Sequence, residues 1–143
     1  LMFLTPHLGC FEISALYGAQ RLPLTVLYRP PKRAALEPLM QAGRSRTSAK
    51  LAPATLQGVR QLLKALKRGE AVGILPDQAP GVGEGEWADF FGRPAYTMTL
   101  AGRLQASTGA AVVMAFAERL AGGAGYRLHL RRVAPPLSPA ALN

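Results

Sequence analysis

LMFLTPHLGCFEISALYGAQ, residues 1–20, is the stretch on which the fold turns. Its first five residues are almost uniformly apolar and do not alternate, so they read as a strand covered on both faces. HLG, residues 7–9, reads as a turn. FEISALYGAQ then takes helical spacing, with Phe11, Ala15 and Gly18 on one face. A buried strand that turns directly into a helix is the opening unit of an α/β sheet.

Working outward, LPLTVLYR (22–29) reads as a second strand, rich in apolar and β-branched residues. RAALEPLMQAGR (33–44) reads as a helix with Pro38 kinking it or marking a late start, and SAKLA (48–52) as a short strand. TLQGVRQLLKALKRGE (55–70) is the clearest helix. Thr55 is its N-cap, Val59, Leu62, Leu63 and Leu66 its buried stripe, and Gly69 its stop. AVGILPD (71–77) is a strand ending in a turn. The glycine-rich stretch from Gln78 to Pro94 reads as one long loop with an aromatic end, Phe90-Phe91-Gly92. TMTLAGRLQASTG (97–109) reads as a helix capped by Thr97. AAVVMAFAER and GYRLHLRRV read as strands joined through AGGAG, a possible hairpin. This order predicts an α/β fold, an αβα sandwich with a mostly parallel central sheet. Functional residues are then expected at the carboxyl ends of the strands, where His7, Arg29 and Asp77 stand.

With 143 residues, 49% of them hydrophobic and 17% charged, the chain has enough apolar material for one globular domain, spanning 1–143. The apolar opening run and the ending APPLSPAALN suggest a domain incomplete at both ends. A net charge of +9 suits nucleic acid, an anionic membrane or acidic partners. The basic residues are scattered, which argues against a basic tail. A single cysteine, Cys10, excludes an internal disulfide framework and a multi-cysteine metal site. No apolar run reaches the length of a membrane span.

His7 precedes the first helix and Glu12 lies five positions on. If His7 stands in the loop and Glu12 in the first turn, the carboxylate can fix the imidazole tautomer and leave the other nitrogen as a general base. From spacing alone, a capping histidine beside a solvent-facing glutamate is the commoner outcome. Cys10 reads as core filler more readily than as a nucleophile. Gly81, Gly83 and Gly85 lack the Lys-Ser/Thr ending of a phosphate-binding Walker loop. His129 alternates against Leu128 and Leu130 and reads as a surface histidine.

HLGCFE, YRPPKR, GRSR, GILPDQAPGVGEGEWADFFGRPAYT and STGAAVVMAF, in this order, resemble the lysophospholipid acyltransferase superfamily. More narrowly they are similar to the bacterial lipid A biosynthesis (lauroyl and myristoyl) acyltransferases. The resemblance covers nearly the whole chain. It implies a glycerol-3-phosphate acyltransferase-like fold and transfer of a fatty acyl group from an acyl carrier protein thioester to a hydroxyl of a lipid A precursor. It implies His7 as general base and Glu12 as its orienting partner. Arg29, Arg44 and Arg46 would meet the phosphates of a phosphorylated glycolipid, while Asp77, at its strand end, could accept hydrogen bonds from a sugar of the substrate or pair with Arg29 to fix its direction, with Gln78 in support. Lys50 is a weaker candidate for the same phosphates. No metal or nucleotide cofactor is implied. Cys10-Phe11 departs from the Asn-Trp of many members, which puts local packing or acceptor contacts in doubt. The expected place of work is the cytoplasmic face of a bacterial inner membrane, with the anchor in a preceding segment. Two alternatives stay open: a sister enzyme acylating a glycerophospholipid, an inositol mannoside or an aminolipid, and a non-catalytic basic module binding membrane or nucleic acid. The absence of a nucleic-acid motif weighs against nucleic acid.

Overall fold

The computed structural model describes residues 1–29 and 48–134. Within them a six-stranded sheet has the order β3-β2-β4-β1-β7-β8. Its strands are β1 (Met2–Leu4), β2 (Leu24–Tyr28), β3 (Lys50–Pro53), β4 (Ala71–Ile74), β7 (Val112–Arg119) and β8 (Tyr126–Val133). β3, β2, β4, β1 and β7 run parallel to one another, and β8 closes one edge antiparallel to β7. The chain is thus an α/β fold built on a largely parallel sheet, as its alternating elements lead one to expect.

Helices cover both faces. α1 (Phe11–Ala19) lies on one side, where Ala15 and Ala19 join Leu1, Phe3, Leu24 and Val26. α2 (Leu56–Lys67) and α3 (Leu100–Thr108) lie on the other, where Leu62, Leu66 and Leu104 join Met2, Leu4, Val72 and Ile74. The split follows the pleat: neighbouring residues of β1 and β4 point to opposite layers, so both strands must be apolar throughout. Met2, Leu4, Leu62, Val72, Ile74 and Val112 are the largest wholly enclosed side chains, each stabilising the fold by about 1.5–3 kcal/mol relative to exposure. α2 is amphipathic. Leu62, Ala65 and Leu66 are buried while Arg60, Lys64 and Lys67 face solvent, and the Thr55 hydroxyl accepts the Gly58 N–H at its start.

Two expectations are corrected. The stretch from Gln78 to Pro94 is not a single loop, because it holds β5 (Gly85–Phe90) and the start of β6 (Arg93–Met98), paired antiparallel in a separate two-stranded sheet. Glycine and acidic residues disguise the strand pattern there. Thr97 does not cap α3, since β6 runs on through Thr97 and Met98 and leaves Thr99 at the cap position. The Thr97 hydroxyl instead donates to the Ala95 carbonyl. The helix expected over 33–44 lies outside the described residues. Among the described residues no helix is long and apolar enough to cross a membrane.

Candidate active site

Strand register builds the site. β1 and β4 are parallel neighbours with Leu4 opposite Ile74. Three residues past Leu4 is His7, and three past Ile74 is Asp77, so the two side chains leave the sheet at the same level. β2 flanks β4 on the other side with Val26 opposite Gly73, which brings Arg29 out one strand further along. The three strand-end residues therefore share the carboxyl edge of the sheet, where ligands of open α/β sheets bind.

His7 is held from several directions. Its ring Nδ1 lies 2.8 Å from Asp77 Oδ1, and its backbone N–H donates to Asp77 Oδ2 at 2.7 Å. The Phe11 ring packs edge-on at 4.9 Å between centroids. Behind the histidine, the chain passes through Gly9 at φ 62°, where it bridges to Ala117, and the Cys10 N–H donates to the Ala117 carbonyl. A Cβ at Gly9 would sit 2.5 Å from that carbonyl oxygen, so only glycine lets the loop lie this close to β7.

Electrostatics follow from these contacts. Burial pushes the Asp77 carboxyl up, but the hydrogen bonds from the His7 ring, from the His7 backbone and from its own backbone, with the charge of His7, outweigh it. The net effect holds Asp77 below its ordinary range, as a carboxylate. An ionised Asp77 with both oxygens turned to His7 favours the tautomer that carries its proton on Nδ1, leaving the Nε2 lone pair free to accept. The Gln78 amide nitrogen lies 3.5 Å from Nε2, at the outer limit of a hydrogen bond. His7 and Asp77 are about one-third exposed, at 35% and 38%, so the pair is reachable from outside.

His7, Glu12, Arg29 and Gln78 all line one cavity of about 620 Å³. Its remaining wall is mostly apolar, including Phe3, Phe11, Ala15, Leu24, Val26 and Leu51. That size and lining suit a ligand with a substantial hydrocarbon part. Ser14 adds a hydroxyl on this wall that has no hydrogen-bond partner among the described residues.

The expected site residues thus fall into three groups. His7, Glu12, Arg29 and Gln78 are brought together around the cavity. Asp77 stands behind the histidine, and among the described residues it bonds to neither Arg29 nor an open site. Arg44 and Arg46 lie outside the described residues. No hydrogen bond joins Glu12 to His7 among the described residues; the carboxylate on Nδ1 is that of Asp77, seventy positions away in sequence. Spacing along the chain favours the nearby acid, and only the pairing register of β1 with β4 could have pointed to the distant one.

Peripheral candidates separate cleanly from the cavity. Cys10 accepts a hydrogen bond from the Arg119 guanidinium at 3.0 Å and is not on the cavity wall. His129 is exposed on β8, 2.9 Å from Glu118, and stacks on Phe116.

Comparison with individual curated proteins gave no match. The sequence profile of the family described as bacterial lipid A biosynthesis acyltransferase matches residues 1–138. The chain belongs to the bacterial lipid A biosynthesis acyltransferase family, a family of acyl-transferring enzymes.

Proposed function

We propose that this chain transfers a fatty acyl group from an acyl carrier protein thioester to a hydroxyl of a lipid A precursor, with His7 as general base. The observation that carries the proposal is the Asp77-held His7 on the wall of a largely apolar cavity. His7 Nε2 takes the hydroxyl proton as the oxygen attacks the thioester carbonyl carbon. The tetrahedral intermediate collapses with cleavage of the C–S bond, and the imidazolium returns the proton to the departing thiolate. No acyl-enzyme is needed, because the acceptor oxygen is itself the nucleophile. Cavity and pair act together by orientation, the cavity holding the acyl chain and Asp77 holding the base.

Two carboxylates serve the base differently in this scheme. Asp77 fixes the tautomer directly. Glu12, in the first turn of α1 and on the same cavity wall, supplies further negative charge near the ring as it becomes imidazolium. Arg29, with Arg44 and Arg46, would hold the phosphates of the acceptor, since guanidinium matches phosphate geometry, and Gln78 would help place the hydroxyl. The net charge of +9 supports an acidic carrier protein as donor and the anionic cytoplasmic face of the inner membrane as the place of work.

The test is to present purified protein with one acyl carrier protein thioester and, in parallel, a lipid A precursor, a lysophospholipid, an inositol mannoside and an aminolipid. Acylation of the lipid A precursor above the others is the expected result. Preferential acylation of another acceptor would replace the substrate assignment.

A further inference from the structure

The tip of the β5–β6 hairpin breaks a local rule. Phe90 pairs with Arg93, so Phe91 and Gly92 form a two-residue turn, with φ 48° and 75°. Positive φ at both positions marks the type I′ geometry, whose first residue is normally Asn, Asp or Gly. Here a phenylalanine occupies it, the one non-glycine residue with positive φ among those described. A bulky side chain held there costs on the order of 1–3 kcal/mol, and burial returns nothing, because Phe91 is 93% exposed. Its ring packs edge-on against Phe90, itself 46% exposed, at 4.7 Å between centroids. An unfavourable backbone that presents an aromatic ring to water points to a ligand for that ring.

Position and composition say what the ligand is. The hairpin is inserted between Gln78 and Met98, both on the cavity wall, so it projects from the rim of the proposed lipid site. Its base is fixed by the Tyr96 hydroxyl, which accepts the Gly83 and Gly85 N–H groups. Trp87 is 72% exposed and sits three residues before Phe90, about 10 Å along the strand. Phenylalanine at the tip, tryptophan about 10 Å behind it and Arg93 across from Phe90 match the layering of a bilayer interface. Rings enter the acyl boundary, while indole and guanidinium lie among headgroups. Asp89, next to Phe90 and nearer the turn than Trp87, restricts entry to the tip itself.

Resting on the lipid-acceptor reading, we infer that Phe90 and Phe91 at the hairpin tip form an interfacial wedge that seats the cavity rim on a phospholipid bilayer. Trp87 is the chain's single tryptophan and reports on the contact without a label. Vesicles of equal parts phosphatidylethanolamine and phosphatidylglycerol should shift its emission to shorter wavelength. Phe91→Asn installs the residue the turn prefers, so thermal stability should hold or rise. Vesicle affinity should nevertheless fall by on the order of tenfold or more, the loss expected for one buried Phe side chain. Unchanged affinity in Phe91→Asn would overturn the wedge. So would a Trp87 shift produced by acyl carrier protein and not by vesicles, which would mark a protein-docking tip. Binding is read without turnover. Phe91-dependent vesicle binding by a chain that transfers no acyl group would support the wedge and sink the catalytic reading. Transfer in detergent solution with Phe91-indifferent vesicle binding would sink the wedge alone.

Discussion

Replacing Asp77 by Asn keeps the shape of the side chain and exchanges one acceptor for a donor. The wild-type carboxylate faces two N–H groups of the same histidine, one on the ring and one on the backbone. An amide has a single oxygen, so one of the two must face its NH₂ group. The backbone N–H cannot change character, whereas the ring can move its proton to Nε2 and accept at Nδ1 instead. The amide oxygen therefore goes to the backbone and the ring adopts the wrong tautomer, with no lone pair at Nε2 for the acceptor hydroxyl. The alternative amide orientation leaves two donors opposed, at a cost of about 1–3 kcal/mol. The productive tautomer survives only in that disfavoured arrangement and without the carboxylate charge that stabilises the imidazolium, so the expected fall in kcat is on the order of 10²–10⁴-fold with KM little changed. Glu12→Gln should cost much less, about tenfold or under, because no bond to His7 is removed. Steady-state acyl transfer on both variants, with nitrogen chemical shifts of the His7 ring to read the tautomer, checks this. If Asp77→Asn kept its rate within about threefold while Glu12→Gln collapsed, Glu12 would be the orienting acid and the distant carboxylate merely structural.

Further outcomes follow from the same geometry. Gly9→Ala combines a positive φ with a contact against the Ala117 carbonyl and should destabilise by about 1–3 kcal/mol, seen as a lowered melting temperature. The Asp77 carboxyl titrates lower in the folded chain than the ordinary 3.8. Its stabilising contribution is therefore complete above that value and disappears as pH falls through the lower folded value. The stability gap between wild type and Asp77→Asn in acid titrations should close over that window, and a gap persisting below it would contradict the assignment. Ala15→Phe fills the cavity from α1 and should shift acyl products toward shorter chains, read by mass. An unchanged chain-length profile would remove the cavity as the acyl site.

Much of the sheet was legible because buried parallel strands write themselves as apolar runs. LMFL and AVGIL carry side chains into two cores at once, and so have no polar positions to blur them. α2 was legible for the opposite reason, since its one buried stripe alternates with Arg60, Lys64 and Lys67 at helical spacing. The β5–β6 hairpin was hidden by its turn: an Asn-Gly would have announced it, and Phe91-Gly92 did not. Thr97 looked like a cap because threonine commonly is one, but β6 carried the strand two residues past the expected boundary. His7 and Asp77 could each be placed at a strand end. Their bond depends on which strands are neighbours and in what register, a tertiary fact that no local pattern encodes.

The central claim is that His7 is the base of an acyl transfer. The direct measurement is transfer from an acyl carrier protein thioester to a lipid A precursor by wild type and by His7→Ala, with products identified by mass. Wild type should yield the singly acylated lipid and free carrier thiol, and His7→Ala should lose about a hundredfold or more in rate while keeping its fold. A folded His7→Ala variant working at full rate would contradict the account.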